Sequence, residues 1–278
     1  MKELLYKNVV ITGGSSGIGR ALAKLLAKEG AHIALIARDQ KKLSEAKKEV
    51  ESFRKENTQI IDTFSADVSN FEEIDLVVKA LQNSGRPPEL LINSAGIFYG
   101  DYFEKIPLEI FEEVMKIDYF GTLYPIRAVL PGMLSRRRGH IVNISSAAGF
   151  MGVFGYGAYS PPKFAIHGLS QVLHQELKPL GIKVSVVFPP DTNTPQLKKE
   201  LKTRLRETSA IVGGANVMTP EAVAQAIIRG IKSESLFILP GFIDKIAYLL
   251  SKTPIVRWLF DFEIARIPIK FRRRKKQH

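Results

Sequence analysis

The chain has 278 residues, 45% of them hydrophobic, enough for one large α/β domain or two small ones around a substantial core. It contains no cysteine, which excludes disulfides, thiolate catalysis and cysteine-based zinc sites. Its five histidines show no ligand spacing, so no metal is expected.

The formal net charge is +12, and ten Lys/Arg against three Asp/Glu place a net +7 in residues 241–278. A basic end of this kind points to an anionic partner, either nucleic acid or an anionic membrane surface. The opening MKELLYKNVVITGG carries charges where a secretion signal needs an apolar core. The uncharged run from Ile141 to Pro162 is long enough to span a bilayer, but four glycines and two prolines argue against a spanning helix.

Short apolar runs alternate with longer amphipathic ones. Strands are predicted at Asn8–Thr12, His32–Ala37, Gln59–Ser65, Leu90–Asn93, His140–Ile144, Lys183–Phe188 and Leu236–Leu239. Helical patterns fall between them at Ile18–Glu29, Gln40–Asn57, Phe71–Asn83, Leu108–Leu134, Pro161–Pro179 and Pro220–Lys232. This alternation implies βαβ units: an α/β, Rossmann-type, doubly wound parallel sheet of about seven strands. Residues 1–240 would form that dinucleotide-binding domain. From Phe242 the rhythm breaks, and 241–278 reads as a C-terminal amphipathic helical appendage.

The first strand runs into TGGSSGIG, with Gly13, Ser15, Ser16, Gly17, Ile18 and Gly19 opening the first helix. Glycines there let the backbone turn tightly and approach a pyrophosphate, which the helix N-terminus favours electrostatically. The bland alternative is a glycine-rich turn with no ligand. The second strand ends at IALIARDQKK, where an acid would prefer NAD and an arginine admits NADP. Arg38 stands at that point and Lys42 one turn later; both are candidates for a 2′-phosphate, and NADPH is the expected cofactor. The competing reading makes them solvated helix-start charges. Asp39 reads as the N-cap of the following helix.

The stretch AYSPPKFA sets Tyr159 and Lys163 four apart around two prolines. Proline costs little in a helix's first turn, where N–H groups have no intrahelical partner. Ser160 is expected as the N-cap, which brings Lys163 one turn beyond Tyr159.

With these motifs in order, the chain resembles the short-chain dehydrogenase/reductase family over about Lys7 to Ile238. TGGSSGIG is similar to its cofactor loop, INSAG (Ile92–Gly96) to its NNAG element with Ser94 substituted, and YSPPK to its YxxxK. Ser146 stands 13 residues before Tyr159, the family spacing, with Ser145 the second choice. The resemblance implies that hydride from NADPH attacks a carbonyl and Tyr159 supplies the proton. Lys163 lowers the phenol pKa and holds the nicotinamide ribose, and Ser146 bonds the carbonyl oxygen. It also implies cofactor contacts from Asn93, Ala95, Gly96, Asp67, Val68, Pro189, Thr192 and Thr194, and a homodimer or homotetramer. The family's relay asparagine falls on Asp118, which can substitute if the relay uses the backbone carbonyl rather than the side chain.

The segment FPPDTNTPQL, with YFGTLYPIRAVLP and KFAIHGL, resembles the 3-ketodihydrosphingosine reductase subgroup. That implies a lipid ketone carrying an amine, with Asp191 and Asp118 as candidates to hold the amine. It also implies a catalytic domain facing the cytosol, at the endoplasmic reticulum in a eukaryote or the cytoplasmic membrane face in a bacterium. The same site would serve another lipid ketone such as a steroid. A non-enzymatic NADP-sensing scaffold is disfavoured by the intact Ser146, Tyr159 and Lys163. No nucleic-acid partner is expected, because the basic cluster is terminal and the glycine loop already has a ligand.

In the appendage, Phe242, Ile243, Ile246, Ala247, Leu249 and Leu250 recur at helical spacing. After Pro254, a second patch (Ile255, Val256, Trp258, Leu259, Phe260, Phe262) precedes FRRRKK. No run reaches the roughly 20 apolar residues of a spanning helix. The pattern suits an interfacial anchor on anionic lipid; the alternative is a helix packed on its own domain or on a partner, with a solvated basic tail.

Overall fold

A computed structural model describes residues 7–212, 217–253 and 258. Seven strands form one sheet: β1 (Asn8–Thr12), β2 (His32–Ala37), β3 (Ile61–Ser65), β4 (Leu90–Asn93), β5 (Gly139–Ile144), β6 (Ile182–Val187) and β7 (Phe237–Ile238). All pairs are parallel, in the order β3-β2-β1-β4-β5-β6-β7. The order reverses between β1 and β4, and such a switch point opens a crevice at the strands' C-terminal ends. Thr12, Asn93 and Asn143 stand in register across β1, β4 and β5 at that crevice.

Helices cover both faces. Helix α1 (Gly17–Lys28) packs beside α2 (Gln40–Glu51), and their Leu22, Leu26 and Leu43 join Val223 and Ile227 of α9 (Pro220–Lys232) against one face. On the other, α3 (Phe71–Asn83), α5 (Gly121–Arg136) and α6 (Ser160–Leu177) bury Ile74, Val129 and Leu177. Strands buried on both faces explain the unbroken apolar runs of the sequence. The cap expected at Asp39 forms, its carboxylate accepting the Lys42 N–H at 3.0 Å.

Beyond shifts of a residue or two at element ends, the structure departs from the expected elements in three places. Helix α2 ends at Glu51 rather than Asn57 because Gln59 is needed elsewhere: its buried amide donates to the Ala27 and Ala31 carbonyls at the end of α1. The helix expected over Leu108–Leu134 is interrupted. Between α4 (Leu108–Val114) and α5 lies a π-helical turn, Met115–Phe120, which carries Asp118 inward. Such single-turn insertions are frequent at functional sites. Third, β6 is followed by two unforeseen helices, α7 (Pro195–Thr203) and α8 (Arg206–Val212).

Helix α10 (Phe242–Ser251) begins the appendage. Its Tyr248 is buried against Phe150, Phe188 and Phe237, while Phe242, Ile243, Ile246, Leu249 and Leu250 are exposed. The second apolar patch and FRRRKK lie outside the described residues, apart from an exposed Trp258.

His140 is fully buried in β5 with Nε2 at 2.8 Å from the Ser185 hydroxyl, and burial lowers its pKa from 6.5 to about 4. The unfolded chain therefore binds a proton between those values that the native state refuses. Its contribution is fully present above about pH 6.5 and is lost as pH falls towards 4, amounting to about 3 kcal/mol. Chemical denaturation of His140→Asn should show about 3 kcal/mol less stability lost between pH 6.5 and 4 than wild type loses.

Candidate active site

The cleft is built from the ends of β1, β4, β5 and β6. Thr12 ends β1, and its hydroxyl accepts the N–H groups of Ser94 at 3.1 Å and Ala95 at 3.3 Å, clamping the INSAG turn beside the glycine loop. Gly13 has φ +64°, and a Cβ there would stand 2.8 Å from Ala95 backbone atoms. A Cβ on Gly19 would stand 2.6 Å from the Gly13 carbonyl. The loop thus has room for backbone only. Ser16, at the N-cap of α1, makes no capping side-chain bond, so the first-turn N–H groups are available to an anion. This cradle fits a dinucleotide pyrophosphate.

Of the expected cofactor residues, Gly13, Ser16, Gly17 and Ile18 line the cleft from below, with Ala95 and Gly96 beside them. Pro189, Thr192 and Thr194 line it from the loop after β6. Thr194 also caps α7 by accepting the Leu197 N–H, and its methyl would lie 3.1 Å from a Cβ at Gly17, closing loop on loop. Arg38 and Lys42 stand at the end of β2, away from these; their side chains are 61% and 63% exposed. Ser15 is not among the cleft-lining residues, and Gly19 packs beneath the turn.

Asn93, Asp67 and Val68 serve the frame. Asn93 is buried and donates to the Asn143 side chain at 2.9 Å, which in turn donates to Ser170 on α6. Asp67 accepts the Ser69 N–H and hydroxyl and lies 3.9 Å from Arg38. Val68 packs on Gly121, where a Cβ would stand 2.6 Å from its methyl.

Ser146, Tyr159 and Lys163 converge on the cleft. The Ser146 hydroxyl accepts the Ala148 N–H at 3.1 Å and lies near enough to the Tyr159 phenol to favour its anion, and Lys163 Nζ lies 5.3 Å from the Tyr159 ring centre. Ser145 points elsewhere and ties α6 to β5, its hydroxyl donating to the Lys163 carbonyl at 2.8 Å. Helix α6 starts one residue earlier than expected, at Ser160, with Tyr159 itself at the cap (φ −92°, ψ −44°). Ser160 is not the cap, and its buried hydroxyl has no hydrogen-bond partner among the described residues. The prolines still fall in the first turn, as the spacing requires.

Asp118 forms an ion pair with Lys163, Oδ2 to Nζ 2.8 Å, with the two side chains 0% and 6% exposed. Its Oδ1 accepts the Ile97 N–H at 2.8 Å, and its carbonyl accepts the Thr122 hydroxyl. Burial pushes the carboxyl up, against the pull of Lys163 and Ile97. The partners decide the charge: both oxygens face donors, so an acid proton would have no acceptor, and we take the pair as ionised. Burial alone would lower Lys163, but the Asp118 carboxylate outweighs it and holds the ammonium above the ordinary lysine value.

Tyr159 differs from expectation. Burial pushes its phenol up, more than Lys163 pulls it down, and the Asp118 carboxylate adds to the upward shift. The same ammonium cannot serve two anions fully. The resting phenol is therefore protonated, the state a proton donor needs.

A polar cluster on the far wall was not expected from the sequence. Arg204 pairs with Asp191 at 2.8 Å and with Glu200 through Nε at 3.0 Å and Nη2. Tyr156, whose ring meets that of Tyr159 edge-on at 5.8 Å, donates its hydroxyl to Glu200. The i, i+4 spacing of Glu200 and Arg204 was the available signal, hidden because α7 itself was not foreseen.

A glycine-cradled crevice at the switch point, beside a serine, a tyrosine and a lysine, defines a nicotinamide-dependent oxidoreductase of the short-chain type. The short chain dehydrogenase family model matches residues 7–205, and the chain belongs to that family. It is an NAD(P)-dependent oxidoreductase. Among relatives, it is 44% identical over 223 residues (80% of this chain, 67% of the other) to the 3-dehydrosphinganine reductase of Danio rerio. It is 38% identical over 281 residues to the 3-ketodihydrosphingosine reductase of Dictyostelium discoideum, covering 95% of this chain and 84% of that one. A solved short-chain dehydrogenase from Sphingobium yanoikuyae in complex with NADPH superposes with TM-score 0.74 at 27% identity, covering 95% of each chain.

Proposed function

We propose that the chain reduces the ketone of 3-ketosphinganine to the alcohol of sphinganine with NADPH. The observation that carries this is the intact Ser146–Tyr159–Lys163 site in a chain 38–44% identical to reductases named for that substrate. When bound, the dihydronicotinamide supplies hydride to the carbonyl carbon. Ser146 and Tyr159 take the carbonyl oxygen by hydrogen bonds, and Tyr159 gives up its proton as negative charge develops there. Lys163 steadies the phenolate that results, and Asp118 fixes the lysine's position. Oxidation of NADPH with 3-ketosphinganine, beside a steroid ketone, tests the reading: turnover with the first and not the second supports it, and the reverse contradicts it.

NADPH rather than NADH is supported by Arg38 and Lys42. Their present partners, Asp67 at 3.9 Å and Asp39 at 3.0 Å, are solvent-exposed pairs of the kind worth little, so both cations can exchange them for a 2′-phosphate. Arg38→Asp should weaken NADPH at least tenfold relative to NADH, one charge-assisted bond being worth about 1.5–3 kcal/mol. Equal loss for both cofactors, read by fluorescence titration, contradicts the assignment.

The lipid substrate and α10 support association with an anionic membrane surface facing the cytosol. Helix α10 docks through Tyr248 and leaves five large apolar side chains exposed, ahead of the basic end of the sequence. No helix among the described residues is long and apolar enough to cross a membrane. The intact chain should sediment with anionic liposomes at low salt, and removal of residues 242–278 should release it while NADPH binding persists. Exposed Phe120, Phe164 and Val172 on the π turn and α6 support self-association through these elements.

A further inference from the structure

Neither acid expected to hold the substrate's amine is placed as well as a third. Asp118 is fully buried against Lys163 and does not line the cleft. Asp191 lines it but already pairs with Arg204 Nη1. Glu200 lines the same cleft from α7 and is only 7% exposed. Its bonds from Tyr156, Arg204 Nε and Arg204 Nη2 all fall on Oε1, and no hydrogen bond from the described residues reaches Oε2.

The charges around it do not balance. Among the described residues Asp191 and Glu200 share a single cation, Arg204, so with both acids ionised the trio carries one net negative charge, and Asp244 lies within electrostatic reach of Asp191. Across the cleft Lys163 and Asp118 neutralise each other. Burial pushes the Glu200 carboxyl up, with Asp191 adding to the effect. Arg204 meets this carboxylate through Oε1 alone, and Glu200 lines the open cleft, so Oε2 can exchange water for a cation. Holding α7 in place needs only Arg204 and one acid; the second acid, beside the proton donor, calls for a ligand.

We propose that Glu200 Oε2 receives a protonated amine on the carbon next to the substrate's ketone. The proposal rests on the sphingoid-ketone reading above. Tyr156 sets the geometry: its ring lies against Tyr159, and its hydroxyl holds Glu200 Oε1, so one side chain separates the acid from the proton donor. A carbonyl oxygen on Ser146 and Tyr159 therefore brings the neighbouring carbon's ammonium to this wall. Arg204 keeps the carboxylate ionised and aimed, and Thr194, capping α7, fixes the helix that carries it.

The test compares kcat/KM of the full chain with NADPH on 3-ketosphinganine and on its N-acetyl derivative, which keeps the ketone and chain but not the charge. Wild type should prefer the free amine. In Glu200→Gln that preference should fall at least tenfold, the worth of one charge-assisted hydrogen bond, and in Glu200→Asp most of it should remain. A preference unchanged in Glu200→Gln, or absent from wild type while both ketones are reduced, overturns the proposal and leaves the sphingoid reading standing. Reduction of neither ketone, with NADPH binding intact, removes both.

Discussion

Tyr159→Phe lowers kcat by about 10²–10⁴-fold, the usual contribution of a positioned general acid, with little change in NADPH affinity. The reasoning starts from placement. The phenol is buried, protonated at rest and beside Ser146 in the cleft, so it is positioned to give its proton to a carbonyl oxygen bound there. Phenylalanine keeps the ring and its edge-on contacts with Phe98 and Tyr156, so the pocket wall survives while the proton is lost. Single-turnover absorbance at the reduced nicotinamide band separates the two effects. Near-wild-type turnover would falsify the role given to Tyr159.

Asp118→Asn should cost about 3–5 kcal/mol of stability, because it strands a buried ammonium that now has a carboxylate at 2.8 Å. It should also move the alkaline limb of kcat to lower pH. With the carboxylate gone, the full charge of Lys163 acts on Tyr159, and an upward influence on the phenol disappears with it. A phenol of lower pKa loses its proton earlier as pH rises, so the donor form disappears sooner. Below that limb activity should fall, because an asparagine oxygen that still accepts the Ile97 N–H turns the amide NH2 toward the Lys163 ammonium that the carboxylate had positioned. Denaturant melts and a pH–rate profile check the two halves separately. An unchanged alkaline limb would mean that the pair does not tune the donor.

Much of this was legible in the sequence for a physical reason. Strands buried on both faces read as unbroken apolar runs, so β1, β2 and β4 fall on the expected residues. The convergence of Ser146, Tyr159 and Lys163 on one cleft was legible because Tyr159 and Lys163 share one helical turn and Ser146 sits at a strand end. The π turn was not, since no glycine or proline marks Met115–Phe120 as a break. Nor was the Asp118–Lys163 pair, whose members lie far apart in sequence and meet only through that turn. Helices α7 and α8 hid in a lysine- and arginine-rich stretch in which α7 buries only Leu197 and Glu200. A buried glutamate there looks like any surface acid until the cleft is built around it.

The most direct measurement of the central claim follows the hydride. The full chain is incubated with 3-ketosphinganine and NADPH deuterated at the transferable nicotinamide position, and the product is analysed by mass spectrometry. The account predicts sphinganine carrying one deuterium on C3, formed by wild type and nearly absent with Tyr159→Phe. Bound cofactor with no labelled sphinganine, or equal labelling by the phenylalanine variant, would contradict it.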